Sequence, residues 1–252
     1  MLRSSFPVLA VSAIAFAPVS SSAASITFTD STFNSANYTE SPTFTSNATL
    51  SSDFCASCGQ GGVPGLQVML VSTGTANDPG LGSIAFINTT FSYDPAAGAV
   101  LSIAASVNKI LTDSIINPGA GNTFRPTIEQ GGNYYLAAIP GPPIPPGSDT
   151  TGWNTLSMSG LQASDFEEYD FATGAFVDAN PNFSSGAMLF GLSQTFTNPG
   201  NFNATAIYDP LQITLTIASV PEPSTWAMLA IGFAGLSVFA RRATRKEVSS
   251  AA

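Results

Sequence analysis

Histidine is absent from the 252 residues, and charged residues make up only 9% of them. Without His there is no Ser-His-Asp triad and no Cys-His pair, and both the commonest zinc ligand and the usual base near neutral pH are missing. A typical soluble chain is about 25% charged. At 9% too few Lys, Glu and Arg remain to solvate helix faces, which excludes a mainly helical soluble protein. Bases are scarcest, with 7 Lys and Arg against 16 Asp and Glu. Five of the seven stand near the chain ends (Arg3, Arg241, Arg242, Arg245 and Lys246), so residues 25–219 keep only Lys109 and Arg125. All the acids except Glu222 and Glu247 lie in that same stretch, which puts its charge near -12. Such a surface repels nucleic acid, whose binding needs Lys and Arg against phosphate, and it draws cations, Ca²⁺ among them.

What the chain does have is 44% hydrophobic residues, 22 Gly and 18 Pro. Apolar and polar residues alternate with period 2 in Ile26-Thr27-Phe28-Thr29, Leu66-Gln67-Val68-Met69-Leu70, Ser83-Ile84-Ala85-Phe86-Ile87, Val100-Leu101-Ser102-Ile103 and Leu211-Gln212-Ile213-Thr214-Leu215. Such runs read as strands, as do residues 134–139 and 187–192. Between them fall Asn77-Asp78-Pro79-Gly80, Asp94-Pro95, Asn117-Pro118-Gly119, Asn180-Pro181 and Asn198-Pro199-Gly200. These are turn formers: Asn and Asp close local hydrogen bonds, Pro fixes φ, and Gly accepts positive φ. Residues 140–147, with five prolines, cannot join a ladder and read as an exposed loop. One helical turn is expected within residues 160–166. The fold class is all-β, a β-sandwich of jelly-roll type, with an N-terminal signal peptide and a C-terminal transmembrane helix.

The N-terminal reading rests on Arg3, an apolar run over residues 6–19 and the small residues that follow. This is the pattern of a secretory signal peptide over residues 1–24, with cleavage after Ala24. At the other end, Pro221-Glu222-Pro223 leads through Trp226 into an apolar segment over about 226–240, then into Arg241 and Arg242. Two prolines around Glu222 fix φ and remove donors, so the triplet stays extended and accessible. Roughly fifteen apolar residues are short for a span that usually needs about twenty, but Trp226 can anchor one interface while Arg241 snorkels at the other. The basic cluster then lies in the cytoplasm and the body outside.

The triplet, helix and arginine cluster together resemble the PEP-CTERM sorting signal of bacterial surface proteins, also named the ice-binding protein C-terminal domain. That second name labels the tail, not an activity. The resemblance covers residues 220–246 and implies recognition by the exosortase, a membrane-embedded cysteine transpeptidase of Gram-negative bacteria that make exopolysaccharide. It also makes Pro221, Glu222 and Pro223 the processing determinants. Residues 25–219 are then the β-sandwich ectodomain and 247–252 a cytoplasmic tail. More loosely, the body resembles jelly-roll carbohydrate-binding modules, whose final strand begins in the manner of Tyr208-Asp209-Pro210-Leu211.

Candidates for chemistry are few. Cys55-Ala56-Ser57-Cys58 could be a redox site, half a metal site or a disulfide. Gly59-Gln60-Gly61-Gly62 follows where a redox site wants a helix N-terminus, and the export signal favours a structural Cys55–Cys58 disulfide. Asp165, Glu167, Glu168 and Asp170 could supply a carboxylate pair or Ca²⁺ ligands, and read more simply as a solvated acidic loop. Asp53, Asp94 and Asp209, beside turns, are scattered Ca²⁺ candidates. Trp153, Tyr134 and Tyr135 flank the Pro-rich loop and are the candidates for stacking on sugar rings, with Trp153 offering the largest face. Adjacent tyrosines on a strand point opposite ways, so one of them belongs to the core.

The expected protein is exported, sorted through its tail to the cell surface or extracellular matrix, non-enzymatic and polysaccharide-binding. Its partners are the exosortase, exopolysaccharide and, before processing, the membrane. No cofactor is expected beyond Ca²⁺. The alternative is a secreted hydrolase or lyase working on polysaccharide through carboxylates.

Overall fold

Two-faced strands need two sheets to hide one face each, and the computed structural model has that arrangement. It describes residues 23–112, 121–139, 152–198, 200–201, 203–219 and 231–233. The Pro-rich loop, Asn117-Pro118-Gly119, the expected signal peptide up to residue 22, Pro221-Glu222-Pro223, Arg241 and Arg242 lie outside the described residues. Among those described, no helix is long and apolar enough to cross a membrane.

The first sheet runs in the order β10 (Asn154–Leu161), β7 (Val100–Thr112), β14 (Asn203–Ile217), β5 (Gly65–Ser72), β4 (Ala48–Cys55), with β1 (Ala24–Asp30) also on β14. The second runs β12 (Ala175–Val177), β11 (Phe166–Asp170), β9 (Asn133–Ala137), β8 (Gly121–Gln130), β13 (Met188–Asn198), β6 (Gly80–Tyr93), β2 (Tyr38–Glu40), with β3 (Phe44–Ser46) also on β6. Every pairing is antiparallel. Together the sheets form a β-sandwich, and Ala23–Val220 is one compact unit. A 3₁₀ turn at Ala163–Asp165 is the expected helical turn. The chain leaves β9 in the second sheet and its next described strand, β10, belongs to the first.

Alternation explains which face goes inside. Leu66, Val68 and Leu70 of β5 and Phe190, Leu192 and Phe196 of β13 are buried, and they meet in one core with Ile103, Ala105 and Val107 of β7. Two irregularities reset the parity. In β14 the inward residues are Ala204, Ala206 and Tyr208, then Leu211, Ile213, Leu215 and Ile217. The switch occurs at Asp209-Pro210, where the pairing with β7 jumps from Tyr208↔Lys109 to Leu211↔Val107. An inserted residue in one strand has this effect, because the side-chain period is 2. The last strand therefore begins at Asn203 and not, as its motif led us to expect, at Tyr208; the motif marks the bulge within it. Likewise β6 buries Ile84 and Phe86 before its bulge and Phe91 and Tyr93 after it.

Beside that second bulge, Gly191 of β13 lies so close to β6 that an added Cβ would stand 1.9 Å from the Phe86 carbonyl oxygen. At Gly121, where a Cβ would meet only Thr197 at 3.5 Å, the contact is ordinary. Gly191→Ala is expected to cost about 2 kcal/mol or more, since the backbone must part. Gly121→Ala should be neutral or stabilising by up to about 1 kcal/mol through the unfolded chain. Urea unfolding midpoints of the two variants check this, and equal midpoints would contradict it.

Candidate functional site

The second sheet carries apolar side chains on its outer face as well. Leu136 of β9, Ala85 of β6, Tyr169 and Phe171 form a second buried cluster, with Phe44 and Tyr134 packed against it. Register explains the grouping. Tyr135 and Phe166 face the core, so Tyr134, Leu136 and Tyr169, one residue removed along β9 or three along β11, face out. In the sheet, β9, β8 and β13 separate β11 from β6, yet the Tyr169 hydroxyl donates to Ser83 Oγ of β6 at 3.1 Å. A contact of that length requires the outer face to be curled into a trough, with the β11–β12 hairpin bent over it. At the hairpin turn Gly174, with φ +70°, lies so close to Phe44 of β3 that a Cβ would be 2.4 Å from the ring. Asp170 holds the turn by accepting from Ala172 N and Thr173 Oγ1, both at 2.8 Å, and these bonds keep its pKa low.

Tyr169 divides the trough. On one side is a recess of about 280 Å³ between Phe44, Ser83, Thr123, Arg125, Phe176 and Thr195. On the other is a wider one of about 520 Å³ between Thr43, Asn133, Tyr134, Glu168, Asp170 and Phe171. Small-molecule sites usually measure roughly 300–1,000 Å³. Edge-to-face packing fixes the aromatic rings: Tyr169 lies 4.8 Å from Phe171 and 5.1 Å from Phe176, and Tyr134 lies 5.6 Å from Phe171. Phe176 remains 38% exposed. Below it sits Arg125, its guanidinium 5.2 Å from the Phe176 ring, and its Nη1 donates to the Ala137 and Ala138 carbonyls. Arg125 is thus committed to the end of β9, and Glu167 is among the charges that act on it. Burial raises the pKa of Tyr169, so its hydroxyl stays protonated as a donor.

The residues expected from the sequence are distributed differently. Tyr134 lies in the trough. Tyr135 is 8% exposed and belongs to the core, which corrects its candidacy: its ring has no free face. Trp153 is half-buried and immediately precedes β10, an edge of the other sheet, so it does not join Tyr134. Asp165, Glu167, Glu168 and Asp170 are not a loop. Asp165 closes the 3₁₀ turn through Gln162 N, and the others lie along β11, Glu168 and Asp170 on one side of the strand and Glu167 on the other. Cys55 and Cys58 form a disulfide, with Cα atoms 5.7 Å apart. Phe44, Tyr169, Phe171 and Phe176 were not anticipated. Their stretches are too short or too mixed to show a strand period, and only their meeting across the curled sheet distinguishes them.

Among the described residues no group of three or more His, Cys, Asp or Glu side chains could hold a metal ion. Asp94 caps a 3₁₀ turn through Ala96 N, and Asp53 lines a shallow recess with Ser51 and Gln67. Asp209 is buried and its Oδ1 has no hydrogen-bond partner. Its neighbour Asp30 has both oxygens engaged, Oδ1 by Thr32 and Phe33 and Oδ2 by Asn88. Two carboxylates, one already saturated, fall well short of the roughly six to eight oxygens Ca²⁺ takes.

Burial, and then the nearby Asp30 charge, raise the Asp209 pKa. An acid whose folded pKa exceeds its unfolded value favours the fold most when protonated, so this contribution is present at low pH. It is lost as pH rises from the ordinary value of 3.8 through the folded one. With divalent cations chelated, Asp209→Asn should therefore be more stable than wild type at pH 7, and the gap should close toward pH 3. Urea midpoints at the two pH values test this. A gap independent of pH would show that ionisation of Asp209 is not what costs stability.

Among solved structures, the chain is similar to a family 11 carbohydrate-binding module from Clostridium thermocellum in complex with a β-1,3-1,4-mixed-linked tetrasaccharide. Identity is 13%, coverage 79% of this chain and 98% of that one, and the TM-score 0.40. It is also similar to a CBM22-1 xylan-binding domain from Paenibacillus barcinonensis (14% identity, 81% and 100% covered, TM-score 0.36) and to a protein of unknown function from Shewanella oneidensis MR-1 (13%, 81% and 92%, 0.38). No curated protein sequence matches. Residues 219–246 match the family model of the PEP-CTERM protein-sorting motif, so this chain carries that sorting motif after its β-sandwich.

Proposed function

We propose that this is an exported, non-enzymatic surface or extracellular-matrix protein that binds neutral polysaccharide in the trough of its second sheet. The observation that carries the reading is the trough itself: Tyr169 and Phe176 share the smaller recess with the hydroxyls of Ser83, Thr123 and Thr195, and Tyr134 lines the wider one beside it. Sugar rings present apolar faces and hydroxyl edges, and rigid aromatics with short hydroxyl side chains match both at low entropic cost. The charge pattern supports a neutral ligand. Among the described residues the one cation in the trough is held by two carbonyls and the Phe176 ring, and acidic side chains dominate the rest of the body. Acidic polysaccharide would require bridging Ca²⁺.

The alternative of a hydrolase or lyase is less well supported. A general acid needs a raised pKa. In the wider recess, Asp170 has its pKa lowered by the turn it caps.

A glycan array of the purified body, with and without Ca²⁺, tests the ligand. Neutral glycans should bind without Ca²⁺. Phe176→Ala and Tyr134→Ala should each raise Kd about tenfold, the equivalent of about 1.4 kcal/mol. Trp153→Ala should leave Kd unchanged. Binding lost in Trp153→Ala and kept in the other two would move the site to the first sheet, and release of reducing sugar would favour the enzyme.

Sorting is a separate expectation. We propose that the exosortase cleaves at Pro221-Glu222-Pro223 after the tail, through a helix over about 226–240 and the Arg241-Arg242 cluster, has held the protein in the inner membrane. Pro221→Ala with Glu222→Ala should then accumulate as an uncleaved, membrane-bound form. Wild-type protein recovered with its tail intact from cells that contain the transpeptidase would overturn this.

A further inference from the structure

Lys109 belongs to the inward series of β7, with Ile103, Ala105, Val107 and Leu111, and is completely buried between the sheets. No carboxylate among the described residues pairs with it. Its Nζ donates to the Asn122 backbone oxygen at 3.3 Å, to Asn122 Oδ1 and to Gln194 Oε1 at 3.0 Å. The Tyr208 ring lies 5.3 Å away, and its hydroxyl donates to the same Gln194 oxygen. Each of these groups is neutral, and a buried unpaired ammonium is heavily penalised. Burial pushes the amine's pKa well down. A neutral amine keeps its lone pair and is a nucleophile.

What it faces is a carboxamide arranged for attack. Asn122 Oδ1 accepts from Lys109 Nζ and also from Gln194 Nε2 at 2.7 Å. A preset donor on that oxygen is what stabilises the charge of a tetrahedral intermediate. Asn122 Nδ2 is buried and has no hydrogen-bond partner. The Gln194 amide nitrogen is instead tied to Asn122 Oδ1 and to Thr195 O, both at 2.7 Å, so of the two carboxamides only that of Asn122 has an untethered leaving nitrogen.

We propose that Lys109 and Asn122 join in an intramolecular isopeptide bond across the sandwich. The Nζ lone pair attacks Asn122 Cγ, and the carbonyl pair moves to Oδ1, where Gln194 Nε2 receives it. As the carbonyl re-forms, the Cγ–Nδ2 bond breaks and Nδ2 takes a proton from Nζ, leaving as ammonia. One C–N bond forms and one breaks, nothing is oxidised or reduced, and no co-reactant is needed. The product is a neutral secondary amide that removes both the buried amine and the orphaned amide nitrogen. It would tie β7 of the first sheet to β8 of the second. The proposal is independent of ligand binding in the trough.

Between residues 25 and 219 the only basic residues are Lys109 and Arg125, and Arg125 precedes Pro126, where trypsin does not cut. The denatured body thus has one tryptic site, Lys109, and an isopeptide bond abolishes it. The exported protein, reduced and denatured, should be lighter than its sequence by one ammonia molecule and resist trypsin at Lys109. Lys109→Arg, which keeps a tryptic site without the primary amine, and Asn122→Ala should both have full mass and be cut there. Because the digestion uses denatured chain, it reads out even for a variant that does not fold. Wild-type protein of full mass that is cut after Lys109 would overturn the proposal.

Discussion

The second sheet has more apolar surface than one interface can hide, and much of this molecule follows from that excess. Its inner face meets the first sheet in the ordinary way, through Phe86, Phe124, Ile128, Phe190 and Leu192. Its outer face carries Ala85, Leu136, Tyr169 and Phe171, over which no third layer lies among the described residues. The sheet conceals them by curling, with the β11–β12 hairpin bent toward β3 until Tyr169 reaches Ser83. The cover is incomplete because the hairpin is short, with only three residues in β12, and Phe176 is left partly in water. A recess thus persists on each side of Tyr169, and its walls combine aromatic rings with the short polar side chains that these strands carry on their outer face.

How much of this could be read beforehand depended on strand length. Long strands announced themselves: Leu66 to Leu70 and Leu211 to Leu215 repeat apolar residues at period 2 often enough to identify both the strand and its inner face, while Ser83 to Ile87, apolar on both faces, identifies the strand alone. Short ones did not. Phe44-Thr45-Ser46 and Ala175-Phe176-Val177 are too brief for a period, and the two adjacent glutamates of β11 hid the Phe166, Tyr169 and Phe171 positions around them. For the adjacent tyrosines, alternation rightly implied that one must be internal, but only pairing with β8 identifies Tyr135 as that one. Bulges were the least visible feature. The Asp209-Pro210 dipeptide suggested a strand start because a bulge and a strand start draw on the same turn-forming residues. Lys109 could have been found by extending the Ile103 parity through Ala105 and Val107.

Scarcity of charge shapes the exterior in a similar way. Where other proteins place Lys and Glu on the outer face of a strand, this one uses hydroxyls and amides that bond one another across the ladder. Thr27 and Thr214 meet at 3.1 Å, Thr155 donates to Asn108 at 2.7 Å, and Asn108 donates to Gln60 at 2.9 Å. Pairs of this type do not depend on ionic strength as surface ion pairs do. Solubility is then left to the net negative charge of the body.

The placement of β14 has a mechanical consequence. It is the last strand of the sandwich, and it is hydrogen-bonded along one edge to β7 and along the other to β5 and then β1. Its end, Ile217, pairs with both Val100 and Ala24. Any tension delivered through the residues that follow therefore runs along a strand flanked on both sides. It loads those hydrogen bonds together in shear, whereas an edge strand such as β10 or β4 could be peeled away one bond at a time. A body retained by its C-terminal end would be gripped at a strand held from both sides and not at an edge.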